Sequence, residues 1–411
     1  MYSLLIVLSI TSFWLFSPEA LVLMGNGGGL GTGIGIMALL CFSAITFVGI
    51  SFINVDRKST GENCQQLQKQ KVDLVGFIGI AGMIGTALFA STGILVTAGF
   101  TFNEVFYYRF PNFAFAFLLL AAALSLQFFP TSIRNRILVI TVSICFAGLV
   151  FLVGYGLISE PTVSIDFATE NTTINSLLPL LLVFVGLDRV RALMGEELLR
   201  FKIAFFMSVI LLAGWMYVSA RFVEPQRLIF STIPYMTAAW KIGGEPGRLI
   251  MGMIIIVGSL GAVYGLLTLS SSSVTRMFGE KRGDFIGKGI ILFMAITIGG
   301  MMGAGVAGTT ILELYIRSSL LLWLIYTALR IFSGSLQAIK IKSFRAVIGM
   351  ISSAIILLGS LSIFFNQENM IAAAFFTVFM IAGALLLITF LNVIAGYVGK
   401  DEIPIIKNTE V

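Results

Sequence analysis

The sequence predicts an all-α polytopic membrane protein of about twelve transmembrane helices, built as a 5+5 inverted repeat with two C-terminal helices added. Three observations predict it. Of 411 residues, 58% are hydrophobic and only 11% charged, with mean hydropathy +1.00. A soluble chain of this length carries about a quarter charged residues, so a water-soluble enzyme, a secreted domain and a disordered chain are excluded. The apolar residues fall in runs of roughly 20, enough to cross a hydrocarbon core as a helix, without the alternation of a membrane barrel. Finally, the runs recur at a fixed offset.

In chain order the spans read 3–24, 31–53, 74–99, 112–130, 137–158, 177–195, 203–222, 247–274, 285–305, 309–332, 346–365 and 371–398. No cleavable leader is expected, because the first span lacks a basic flank and contains Pro18 and Glu19 instead of a small-residue cleavage site. The whole of 1–398 reads as one membrane domain, followed by a tail at 399–411. With the N-terminus placed inside, twenty Lys and Arg fall on the inner side and six on the outer. That asymmetry predicts both termini in the cytoplasm and a bacterial-type inner-membrane location. The net charge of +6 is therefore a topology signal, and no nucleic-acid partner is expected. The outer segment 159–176 carries three acids and no base, with an Asn171-Thr172-Thr173 sequon.

Spans 1 to 5 and spans 6 to 10 start at positions that differ by roughly 172 to 174 residues throughout. A repeat of five spans has an odd count, so the second copy enters from the opposite side. Repeat one is 1–158, repeat two 177–332, and 346–398 holds the two extra helices. In such an architecture the binding site lies near the midplane, where the first helix of each copy is interrupted.

Both first helices carry breaking residues. Span 1 clusters Ser9, Thr11, Ser12 and Ser17-Pro18, and proline removes a donor and disfavours helix at the residue before it. Either a kink patched by hydroxyls or an unwound, ligand-facing segment satisfies that pattern. Span 6 carries Gly186 and Asp188, where a new helix N-terminus suits negative charge. Asp188 and Arg189 lie deep for charged groups and require partners or water.

Residues 177–282 resemble permeases of the amino acid–polyamine–organocation superfamily. The segment PLLLVFVGLDRVRALMGEELLRFK places Phe184, Gly186, Leu187 and Asp188 on the family's F-x-G-F-E-like element and Glu196-Glu197 on its acidic pair. Span 8, GSLGAVYGLLTLSSSSVTRMFGEKR, sets Ser271 on the family serine, with Arg276 to Arg282 in the basic loop that follows. The resemblance implies a LeuT-like fold and a small organic solute, an amino acid or amine. It places the solute between spans 1 and 6, with spans 3, 8 and 10 as walls. One departure stands out: Thr11, Ser12 and Phe13 occupy positions where the family has a glycine-rich break.

The substrate-binding candidates are therefore Thr11, Ser12, Phe13, Leu182, Phe184, Val185, Gly186, Asp188 and Tyr264, with Trp14 as an aromatic gate. Gly79, Gly82 and Gly85 recur every three residues on span 3, which suits close helix packing or a wall shaped around a ligand. Glu313 and Arg317 are spaced i, i+4 and predict an outer gate or structural pair. Glu19 is expected to cap the outer half of span 1, and Glu104 to be solvated. Ser270 and Ser271 are where the resemblance implies a sodium-binding hydroxyl pair; back-bonding to helix carbonyls is the plainer alternative.

The chain has no histidine, and Cys41, Cys64 and Cys145 form no CxxC pair, so no metal centre, resident cofactor or catalytic nucleophile is expected. Sodium coupling, proton coupling through Asp188 and uncoupled exchange all remain open. The expected function is secondary transport by alternating access, without enzyme chemistry. A polytopic membrane enzyme, a channel or a non-transporting partner subunit is the alternative. The sequence does not set the oligomeric state.

Overall fold

The structure, a computed structural model, describes residues 2–53, 74–164, 173–194, 198–275, 280–340, 345–367 and 369–398. Glu196, Glu197, Cys64, Asn171, Thr172, Arg276 and the tail from Gly399 lie outside the described residues. Among the described residues every regular element is helical. Among the described residues nine helices are long and apolar enough to cross a membrane. The shorter apolar helix Asn112–Phe128 and two interrupted spans bring the number to the expected twelve.

The first span is α1 (Tyr2–Thr11) and α2 (Pro18–Gly29), separated by a turn. It runs about one helical turn beyond the expected end, because Gly27, Gly28 and Gly29 do not terminate it. They are instead where α2 meets its neighbours: a Cβ on Gly27 would sit 2.9 Å from Leu180, and one on Gly29 only 2.7 Å from the Pro225 carbonyl. Next come α3 (Thr32–Ile50), α4 (Leu74–Val105), α5 (Asn112–Phe128) and α6 (Thr131–Ile158).

The sixth span opens with a short helix α7 (Ile174–Leu177), a 3₁₀ segment (Leu178–Phe184) and α8 (Leu187–Met194). The chain continues with α9 (Leu198–Phe222), α10 (Pro225–Phe230), α11 (Pro234–Thr275), α12 (Glu280–Gly303) and α13 (Thr310–Lys340). Two helices complete the chain, α14 (Arg345–Phe365) and α15 (Met370–Val398). Hydropathy did not reveal α10, or the helical arm 234–243 that precedes span 8. That arm joins the span through Gly244 at φ 60°, a conformation glycine adopts without strain.

A close seam joins α4 to α13, which run antiparallel. Gly79 faces the Tyr326 ring, Gly82 the Trp323 backbone and Gly85 the Ser319 hydroxyl, so the glycine row serves close helix packing. A Cβ at Gly82 would stand 2.5 Å from Trp323 N. On the outside, large apolar side chains such as Phe117, Ile140, Phe151, Ile296 and Phe379 are exposed, as lipid-facing residues are. Exposed hydroxyls of Ser125, Thr297 and Thr389 donate to the carbonyl four residues back, which leaves no proton unsatisfied toward hydrocarbon.

Candidate functional site

The two interrupted spans meet. In the first, Ser17 caps α2 by accepting a hydrogen bond from Ala20 N–H at 3.2 Å, and Pro18 sits at the first helical position, where no donor is needed. Between α1 and α2 the chain turns on Phe16 N–H to Ser12 O and Ser17 N–H to Trp14 O. In the second, the 3₁₀ segment ends at an extended Val185, and Gly186 at φ 89° starts α8. Gly186 O accepts from Arg189 N–H and Val190 N–H. The Trp14 indole donates to Leu182 O at 3.0 Å and ties one break to the other.

Aromatic side chains fill the junction. A Cβ at Gly186 would lie 3.3 Å from Phe13 and 3.5 Å from Trp323, so both rings close on the glycine. Phe13 also lies over Gly265 of α11. Asp188, in the first turn of α8, is buried; its Oδ1 accepts from Trp323 Nε1 at 3.1 Å and its Oδ2 lies 3.6 Å from Arg189 Nε. Arg189 donates to the Tyr326 hydroxyl at 2.6 Å. The deep charges thus have the partners that burial in a membrane requires.

Thr11 and Ser12 hydroxyls donate back to Val7 O and Leu8 O. Ser12 also lines a cavity of about 20 Å³ between the first break, α6 and α11, together with Ser9, Phe13, Thr141 and Cys145. It has room for one water-sized guest.

Leu182, Phe184 and Val185 are buried, and Phe184 turns toward α9, its ring 6.2 Å from that of Phe205. Tyr264 packs with Leu126 and Leu138. Ser270 donates to Met83 O at 2.9 Å and Ser271 to Gly287 O at 3.1 Å, so both hydroxyl protons bind neighbouring helices instead of the turn in span 1. Glu313 and Arg317 form an exposed ion pair in the first turns of α13. Trp323, Tyr326, Thr141 and Cys145 were not among the sequence candidates. Their roles rest on contacts across more than a hundred residues, for which local pattern holds no signal.

No family model matches the chain, and no curated protein matches it in sequence. Solved structures match it over nearly its full length. A crystal structure of a mutant manganese transporter from Eremococcus coleocola covers 96% of this chain and 95% of that one, at 9% identity and TM-score 0.63. A second mutant of it gives TM-score 0.62 at 9% identity, with the same coverage. Its complex with an aromatic bis-isothiourea substituted compound gives 0.59 at 10%, again with the same coverage.

The fold is that of a polytopic membrane transporter.

At this identity the likeness is one of fold alone, and the resemblance to amino acid–polyamine–organocation permeases has no matching family model. Among the described residues no three His, Cys, Asp or Glu side chains converge into a metal-binding group. The one buried carboxylate at the junction, Asp188, already accepts from Trp323 and faces Arg189.

Proposed function

We propose that the chain is a secondary transporter of a small organic solute, an amino acid or amine, that works by alternating access. The observation that carries this reading is the contact of two broken spans, Trp14 to Leu182 O, with Gly186 in a left-handed turn between them. Interrupted helices whose ends face each other at mid-depth provide polar backbone in a place where unbroken helices offer none. Phe13 and Trp323 then act as the plug that a bound solute displaces, with spans 1 and 6 as its walls and Glu313–Arg317 at the outer end.

A divalent metal cargo, such as the one named for the structural relative, is less well supported. The chain has no histidine, and Asp188 is committed to Trp323 and Arg189. The distribution of Lys and Arg supports placing both termini in the cytoplasm and the chain in an inner membrane.

The test is a thermal-shift panel of amino acids and amines on the purified protein, followed by counterflow in proteoliposomes with the stabilising solute. Saturable counterflow lost in Asp188→Asn supports the reading. Unsaturable ion current overturns it.

A further inference from the structure

The helical arm at the start of α11 has two faces. On one side Pro234 presses on α2, where a Cβ at Gly25 would lie 2.7 Å from its ring, and Tyr235 beside it is buried. On the other side Ile233, Met236, Thr237, Trp240 and Lys241 recur at the helical period and line a cavity of about 500 Å³. Glu104 and Val105 at the end of α4, with Arg248, complete its wall.

The cavity belongs to the side of α4 that meets the first broken span. Positions 93, 97, 100 and 104 share one face of that helix, and Gly93 is where Glu19 of α2 approaches it. Glu104 stands about 16 Å further along the same face. The charges around the cavity are not spent on one another. Arg248 is paired with Glu245 at 2.6 Å and lies over the Trp240 ring, 5.5 Å from its centre. Glu104 and Lys241 are both exposed, and neither makes an ion pair with a described residue, the other included. Two opposite charges that open into one volume without meeting suit a molecule that carries both. An ammonium donates to a carboxylate on one side, and a carboxylate accepts from an ammonium on the other. Ile233, Met236 and the Trp240 ring add apolar surface beside them.

We propose that this cavity is a binding site for a zwitterionic solute, an α-amino acid with an apolar side chain. Its carboxylate is held by Lys241, its ammonium by Glu104, and its side chain lies against Met236 and Trp240. The proposal rests on the transporter reading above and narrows it, because a plain amine lacks the group that Lys241 holds. The site is on the arm that packs against the first span, on the side of the membrane that the Lys and Arg distribution assigns to the exterior. A solute occupies it on the way to the break at Gly186.

The tryptophans supply the readout. Trp14, Trp215 and Trp323 are at most 2% exposed, whereas Trp240 is 55% exposed. Acrylamide quenching of the full chain in maltoside micelles therefore reads Trp240, with Trp240→Phe giving the buried background. Leucine, methionine and phenylalanine are compared with 3-methylbutylamine and 4-methylpentanoate, which keep the skeleton of leucine and one of its charges. The expected result is saturable protection by at least one of the three zwitterions, with neither analogue protecting at the same concentration. The half-maximal concentration rises about tenfold in Lys241→Met and in Glu104→Gln, and Lys241→Arg restores it. Both side chains are exposed, so these variants keep the fold. No protection by any zwitterion, equal protection by the amine, or protection that ignores both substitutions overturns the proposal. Counterflow without Trp240 protection overturns this site and leaves transport standing. Protection without counterflow keeps the site and overturns the transporter reading.

Discussion

Trp323 on α13 donates its indole N–H to Asp188 on α8 across 3.1 Å, and so joins the second helix break to the span that the glycines of α4 draw close. Replacing Trp323 by Phe keeps the apolar bulk and removes the donor from a buried carboxylate. Side-chain hydrogen bonds within membranes average about 0.6 kcal/mol and reach about 1.7 kcal/mol. The Trp323→Phe, Asp188→Asn cycle is expected to show coupling near the upper end, measured by reversible unfolding in mixed micelles. Additive variants would remove the bond from the energetics.

Gly186 holds φ 89° with Phe13 3.3 Å from its missing Cβ. Alanine there adds about 1–2 kcal/mol of left-handed strain and crowds the ring. Gly186→Ala is expected to lower the unfolding midpoint and to abolish counterflow. Full stability with full counterflow would show that the turn tolerates a side chain.

Gly82→Leu places a side chain where the Trp323 backbone stands and is expected to destabilise by about 1–3 kcal/mol, as overpacking does. Gly154→Ala is the control: nothing lies within 4 Å of its added Cβ, and no loss is expected. Thermal unfolding of the two variants side by side checks the contrast.

Ser270 donates to Met83 O, a carbonyl inside a helix. Ser270→Ala is therefore expected to cost about 0.6 kcal/mol and to leave any sodium response unchanged. If sodium raises the melting temperature of the wild type and not of the variant, the hydroxyl belongs to an ion site after all.

Cys145 lines the small cavity beside Phe13. With Cys41 and Cys64 replaced by Ser, Phe13→Ala is expected to make Cys145 react with a small methanethiosulfonate, while the parent stays unmodified. Intact mass spectrometry reads the outcome. Equal reactivity in both would show that Phe13 does not seal the cavity.

Much of the fold was legible because hydrocarbon is an unforgiving solvent. Span length, the Pro18 break and the Gly186 break each leave a mark in one local stretch. What was not legible depends on pairing between distant stretches. The first span runs on past residue 24 through Gly27, Gly28 and Gly29 because Leu180 and Pro225 press against that run. Glu19 reads as a helix cap until Ser17 is found doing that job. The hydroxyls of Ser270 and Ser271 do not back-bond within their own helix but donate to carbonyls of other helices, which no local pattern announces. Hydropathy also gives no sign of which apolar face meets lipid and which meets protein, so Trp323 looks no different from any other aromatic residue until its partner is known.

The glycine row of α4 has a mechanical consequence. Gly79, Gly82 and Gly85 receive Tyr326, Trp323 and Ser319 as a keyway receives its key. A side chain at any of the three glycines would meet these groups at 2.6 Å or less. The joint is therefore locked along its axis. Spans 3 and 10, more than 200 residues apart in the chain, are thereby held in one fixed register.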